Sequence, residues 1–121
     1  ATAEAALGAA GRWVRETQRA DGSWGRWTGT VEETAYAVQA LVRAGTPATG
    51  ALARGAAYLA GHDDPDRYPG LWHAKDLYAP VRVIQAARLA ALHLAGTRPV
   101  PAQRSGSSTI ARQPTAATST R

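Results

Sequence analysis

Apolar side chains return at helical spacing in four separate stretches of this chain. Leu7, Ala10, Trp13, Val14 and Thr17 share one face of a helix predicted over 2–18, with Arg12, Arg15 and Glu16 facing away. Gly22 is expected to supply the positive φ of the helix exit. A second helix is predicted from Thr30-Val31-Glu32-Glu33, a capping box in which Thr30 caps and Glu33 reaches back. Val31, Ala35, Val38 and Val42 form its stripe, and Gly45 ends it. Thr46-Pro47 is read as the cap and first position of a third helix, lined by Leu52, Ala56 and Leu59 and stopping near Gly61. A loop of about sixteen residues, His62 to Tyr78, follows; loops this long inside a compact domain are often functional. The fourth helix runs from Pro80 to Gly96. Val81, Val83, Ile84, Ala87, Leu89, Ala91, Leu92 and Leu94 leave it apolar around most of its girth, which predicts burial. The expected fold is all-α, in two helical hairpins over 1–45 and 46–96.

After Gly96 the composition turns to Pro, Ser and Thr without periodicity, and residues 97–121 are expected to be a disordered tail. That tail changes the meaning of the net charge of +5: it holds four arginines and no acid, and the rest of the chain carries ten basic against nine acidic side chains. Thirteen arginines to one lysine reflect base composition more than a nucleic-acid surface, and no nucleic-acid partner is expected. There is no cysteine, hence no disulfide framework and no thiolate metal site. No apolar run approaches the ~18 residues of a membrane span, and the start has no signal-peptide core, so a cytoplasmic setting is expected. The chain has no methionine, and we read it as a fragment or a processed chain.

The second hairpin echoes the first. Trp13-Val14 is matched by Tyr58-Leu59, preceded by Arg54-Gly55 where the first copy has Ala9-Ala10, and Gly70-Leu71-Trp72 repeats Gly22-Ser23-Trp24. The spacings are 45 residues from Trp13 to Tyr58 and 48 from Trp24 to Trp72, the period of a stacked helical-hairpin array. Within the first copy, Gln18, Gly22 and Trp24 join an amide able to reach backbone groups, a turn glycine and a large plate with one N–H. Such a turn is suited to docking one hairpin on the next.

Three segments carry candidate chemistry. Asp63-Asp64-Pro65-Asp66 is a carboxylate cluster, but Pro65 breaks helical presentation and the plain reading is a solvated acidic loop. Trp72-His73-Ala74-Lys75-Asp76-Leu77-Tyr78 sets two aromatics, a cation and a carboxylate before the fourth helix. Trp72 and Tyr78 suit a wall that stabilises carbocations, and Lys75 suits a diphosphate; the alternative is a core corner in which Asp76 pairs with Lys75 or Arg82. Trp27, Glu33 and Tyr36 are either a pocket rim or a capping and stacking layer. Arg88, on the apolar arc between Ile84 and Leu92, either meets a diphosphate or snorkels past the helix edge. His62, His73 and His93 show no ligand spacing.

The Gln-x-x-x-Gly-x-Trp pattern of Gln18, Gly22 and Trp24, with Trp13 before it and Tyr58 and Trp72 in the second copy, resembles the QW repeat of the terpene cyclase and squalene–hopene cyclase superfamily. The Trp72–Tyr78 run and the stretch Trp24–Tyr36 resemble bacterial class II diterpene cyclases. The resemblance covers about residues 3–96. It implies part of an (α/α) barrel, the β domain of terpenoid cyclases, and protonation-initiated cyclisation of geranylgeranyl diphosphate to a labdane- or copalyl-type diphosphate. It implies substrate-facing roles for Trp72, Lys75 and Tyr78, and Mg²⁺ accompanying the diphosphate in the intact enzyme. It implies that the partner is the rest of the barrel. The family's acid is the middle Asp of an Asp-x-Asp-Asp motif, which this sequence does not contain, so no catalytic residue is assigned and the chain alone is expected to be inactive. Other superfamily barrel enzymes, such as a squalene–hopene cyclase or a prenyltransferase subunit, and a non-enzymatic helical-repeat module are the alternatives.

Overall fold

The computed structural model describes residues 2–69 and 80–96. Four α-helices are present among them: α1 Ala3–Glu16, α2 Val31–Arg43, α3 Ala51–Gly61 and α4 Val81–Gly96, with a 3₁₀ turn at Pro65–Arg67. A lone antiparallel bridge pairs Trp24 with Thr30. The tail 97–121, the Trp72–Tyr78 run and the Gly70-Leu71-Trp72 echo lie outside the described residues.

α2 is the centre of the packing: it meets α4 most extensively, then α3, then α1. Its fully buried Ala35, Val38 and Leu41 join Leu52 and Leu59 of α3 and Ile84, Ala87 and Ala91 of α4 in one core. Leu41, rather than the expected Val42, completes the buried stripe; Val42 is half-buried at its edge. Gln39 adds a polar tie, donating through Nε2 to the Ala87 carbonyl at 3.2 Å.

Helix boundaries follow local chemistry, with three departures from expectation. α1 is capped by Thr2, whose hydroxyl accepts from Ala5 N, but it stops at Glu16. Thr17, expected on the core face, is exposed and donates its hydroxyl to the carbonyls of Trp13 and Val14. Gly22 therefore stands beyond the helix exit, in the next turn, where its N–H donates to Arg19 O and its φ is 87°. α3 starts at Ala51 with Gly50 before it, not at Thr46-Pro47. The reason is the end of α2: Gly45 takes φ 74°, Gly45 N donates to Val42 O and Thr46 N donates to Leu41 O. That is the Schellman pairing, and it commits Thr46 to closing α2. Its hydroxyl instead accepts from Arg15 Nη1 at 3.4 Å, tying the end of α1 to the end of α2.

Two burial expectations are corrected. Leu7, Ala10 and Trp13 are exposed on α1, with Trp13 at 65%, because α1 packs chiefly on α2 through Gly11 and Val14. α4 buries a single stripe, Ile84, Ala87 and Ala91, and leaves Val83 and Leu89 at 57% and 60% exposure. An all-round apolar helix needs neighbours on every side, and among the described residues α4 packs chiefly on α2 and α3.

Candidate functional site: the glutamine–tryptophan turn and its surroundings

Residues 18–25 lie between α1 and α2 of the first hairpin and pack against the start of α3. The Gln18 amide donates through Nε2 to Gly22 O and to Ala51 O, both at 2.9 Å, and its Oε1 accepts from Arg54 Nη2 at 2.6 Å. One side chain thus holds its own turn and the first residue of α3. The Arg54 and Gly55 of the second copy are where the first copy's turn lands. A Cβ on Gly22 would stand 2.6 Å from Arg54 O, so backbone meets backbone there. A Cβ on Gly55 would stand 2.8 Å from Trp24 Cζ3 and 2.8 Å from Val38 Cγ2. Both glycines are fixed by close approach, and Gly22 by its positive φ as well.

Trp24 is buried at 6% exposure. Its Nε1 donates to Val14 O at 2.7 Å, using a carbonyl in the last turn of α1. Its backbone N donates to Thr34 Oγ1 at 2.9 Å, and the Thr34 hydroxyl lies 3.4 Å from Trp24 O. Trp24 therefore ties three helices together: its indole bonds α1 and lies against Gly55 of α3, and its backbone bonds Thr34 of α2. Thr34, wholly buried within the stripe of α2, escaped the sequence reading; a lone hydroxyl among Val31, Ala35 and Val38 was its signal. Ser23 is likewise buried beneath Gly29, and donates its N and Oγ to Asp21 Oδ1 at 3.0 and 2.6 Å. These Ser23 hydrogen bonds hold the Asp21 carboxyl below its usual value, with a smaller pull from Arg19.

Glu33 does not close the expected reciprocal box. Thr30 does cap, accepting from Glu33 N at 3.1 Å. The Glu33 carboxylate, however, accepts from the Thr30 hydroxyl and from Arg26 N. Thr30 N is already taken by Trp24 O in the β-bridge, so no donor is left for the carboxylate at that place. Glu33 pins the loop 26–30 instead. Trp27 is 73% exposed, and the Arg26 guanidinium sits 5.2 Å from its ring centroid. Tyr36 lies half-exposed on a groove of about 720 Å³ between α1 and α2, with Trp13, Trp24, Ala37 and Ala40.

The opposite end of α3 holds a smaller hollow of about 250 Å³, bounded by Thr30, Tyr58, His62, Asp64, Arg67 and Tyr68. Tyr58 stacks on His62 with ring centroids 3.9 Å apart, and His62 Nδ1 donates to Tyr58 O. Burial, then the Asp21 charge, pushes the Tyr58 phenol up. The Tyr68 phenol is also raised, mainly by burial, with Arg88 opposing and Asp63 and Asp64 reinforcing. Arg88 is half-buried and donates from Nε to Leu59 O at 2.7 Å. It thereby satisfies a carbonyl in the last turn of α3, where a cation is favoured by the helix dipole. The acidic loop stays in solvent: Asp64 Oδ1 accepts from Asp66 N and its Oδ2 lies 3.5 Å from Arg67 Nε. Among the described residues no three His, Cys, Asp or Glu side chains converge as metal ligands. Trp72 and the other two candidate binding residues, Lys75 and Tyr78, fall outside the described residues.

No family model matches the chain. It is 58% identical over 92 residues to an ent-copalyl diphosphate synthase of Streptomyces sp. (strain KO-3988), covering 73% of this chain and 18% of that protein. It is 50% identical over 99 residues to a labda-7,13-dienyl diphosphate synthase of Streptomyces clavuligerus, covering 80% and 18%. A type B diterpene cyclase of Mycobacterium tuberculosis is 44% identical over 88 residues, 68% of this chain and 17% of that one. Among solved structures, ent-copalyl diphosphate synthase from Streptomyces platensis superposes with a TM-score of 0.68 at 62% identity, over 78% of this chain and 19% of that one. Helical hairpins joined by a Gln–Gly–Trp turn, with this likeness, define a terpene-cyclase type of helical array. More narrowly, the chain belongs to the bacterial class II diterpene cyclases. It spans about a fifth of the length of the curated relatives it matches.

Proposed function

We propose that this chain works as one segment of a class II diterpene cyclase that converts geranylgeranyl diphosphate to a labdane- or copalyl-type diphosphate. The observation that carries the reading is the 58% identity to a copalyl diphosphate synthase over 73% of the chain. In such a reaction a carboxylic acid gives its proton to the terminal alkene. Neighbouring alkenes close the rings onto the resulting cation, and a base removes a proton at the end, with the diphosphate retained. The acid must be kept protonated by its surroundings. This sequence has no Asp-x-Asp-Asp, so the acid belongs to a part of the enzyme outside it.

In this reading residues 1–96 are two hairpins of the barrel, 1–45 and 46–96, 97–121 is a basic tail, and the partner is the rest of the barrel. The Gln18–Trp24 turn fixes one hairpin to the next, which supports a scaffold role for Gln18, Gly22 and Trp24; we assign the same role to Trp13, Tyr58 and Trp72 as the remaining members of the repeat. Trp72 and Tyr78 face the cationic intermediates and Lys75 meets the diphosphate. Mg²⁺ would accompany the diphosphate, but the described carboxylates do not fit it: no three of them converge, Glu33 is bonded to Thr30 and Arg26, and Asp64 is turned to Arg67 and to its own backbone turn. No step here runs through the metal. Among the described residues no helix is long and apolar enough to cross a membrane, in keeping with the cytoplasmic setting we assign.

The test is a graft. This chain replaces the matching segment of the Streptomyces sp. (strain KO-3988) enzyme, and the products from geranylgeranyl diphosphate are identified by mass spectrometry. A copalyl-type diphosphate is expected, with Lys75→Ala raising KM more than it lowers kcat. A folded graft that returns only unchanged substrate would sink the proposal.

A further inference from the structure

Where the chain leaves α3, one carbonyl is held twice. Leu59 O accepts from His62 N at 3.3 Å, in the first residue of the connection to α4. It also accepts from Arg88 Nε at 2.7 Å, in the middle of α4 itself. The shorter bond joins the helix before residues 62–80 to the helix after them. The rest of that contact is modest: α4 meets α2 more extensively than α3. A hollow of about 370 Å³ runs along the seam of α3 and α4, lined by Ala53, Ala56, Ala60, Leu92 and Ala95. Alanines reach only a short way across such a gap, so more of the spacing between the two helices falls to the polar bond. Within the connection, Tyr68 packs against the core, near enough to Arg88 for the guanidinium charge to act on its phenol. The Tyr68 hydroxyl is buried and has no hydrogen-bond partner, so packing alone holds it. At the far end Pro80 O accepts from Ile84 N at 3.0 Å, and Arg88 follows Ile84 by one turn.

We infer that Arg88 is a positioning residue for substrate binding: by holding Leu59 O it sets the spacing of α3 and α4, and with it the two ends of the connection that carries Lys75 and Tyr78. This rests on the reading above, in which Lys75 meets the diphosphate. Arg88 acts without touching the ligand. Its effect lies in one N–H at one atom, whereas a direct contact with the diphosphate would use the cation. A second bond supplies the comparison. Gln39 Nε2 donates to Ala87 O at 3.2 Å, so it docks the neighbouring residue of α4 on α2 and leaves the exit of α3 alone.

The test uses the graft described above, with KM and kcat for geranylgeranyl diphosphate and a thermal melt for each variant. Arg88→Gln keeps an N–H at the position of Nε and discards the charge. Arg88→Met puts a methyl group there; should it fail to fold, Arg88→Lys takes its place, keeping the cation with no donor at that atom. Gln39→Met removes the bond to α2 in the same way. The expected result is a KM about tenfold higher for Arg88→Met, the equivalent of one hydrogen bond to a charged group, with kcat changed less. Arg88→Gln is expected to keep the parent KM, and so is Gln39→Met even where it lowers the melt. In a Lys75→Ala background Arg88→Met is expected to add little, as for two residues acting through one contact. A KM raised equally by Arg88→Gln and Arg88→Met puts the guanidinium on the diphosphate and overturns the inference. A KM unmoved by Arg88→Met, or moved as far by Gln39→Met, reduces Arg88 to helix docking and overturns it too, as does an undiminished effect in the Lys75→Ala background. All of these leave the proposed activity standing, because the unsubstituted graft tests that by itself.

Discussion

Arg54 donates to the Gln18 carboxamide at 2.6 Å across 36 positions of sequence. The same carboxamide donates to Gly22 O and Ala51 O, so one uncharged side chain satisfies three groups drawn from both hairpins. A glutamine does this where glutamate would not, because the two carbonyls need N–H donors. Gln18→Glu is expected to be destabilising despite the arginine beside it. Gln18→Ala should cost about 1–3 kcal/mol, the usual penalty for orphaned, partly buried polar groups. Arg54→Ala should cost less, since its guanidinium is exposed. Urea unfolding of the three variants ranks them; equal costs for Gln18→Ala and Arg54→Ala would contradict the account.

Trp24 separates packing from polarity. Trp24→Phe keeps a ring over Gly55 but leaves Val14 O without its indole partner, for a loss of about 1–3 kcal/mol. Trp24→Ala also opens the junction of three helices and should lose about 3–5 kcal/mol. Thr34→Val keeps the shape and removes the acceptor of Trp24 N, so it should resemble Trp24→Phe. Denaturant midpoints at constant m-value decide this.

The glycines give a matched pair. Gly55→Ala drives a methyl to 2.8 Å from both Trp24 and Val38, and overpacking of about 1–3 kcal/mol outweighs the helix propensity it gains. Gly61→Ala, at the end of the same helix, meets nothing within 4 Å and should be neutral or stabilising by about 0.5 kcal/mol. Thermal melts that move in the same direction for both would refute the close approach.

Asp21 makes the turn acid-sensitive. Its folded carboxyl titrates below the ordinary 3.8 because of its bonds from Ser23. The stability it contributes is therefore present above pH 3.8 and is lost as pH falls through the lower folded value. Asp21→Ala should melt below the parent at neutral pH, and the gap should narrow in acid. A gap that stays constant from neutral pH down through the acid range would assign the effect to packing alone.

The elements themselves were legible because their causes are local. Thr2 and Thr30 at helix starts, Gly45 at a helix end and the 3.6-residue apolar spacing act within a few residues of chain. So were Gln18, Gly22 and Trp24 as a unit, since few turns combine an amide, a turn glycine and an indole at that spacing. The sequence did not reveal which neighbours those residues find. That Gln18 binds Ala51 O and Arg54, that Trp24 needs Gly55 to be bare, and that the Glu33 carboxylate takes Arg26 N and the Thr30 hydroxyl rather than Thr30 N are decided by the folded arrangement. Thr30 N could be excluded as a partner for Glu33 only once the bridge from Trp24 was in place. Burial was the other tertiary decision. Periodicity marks a face as apolar, but it cannot say whether anything lies against it; on α1 the face of Leu7, Ala10 and Trp13 is as apolar as its equivalent on α3, and only the packing distinguishes them.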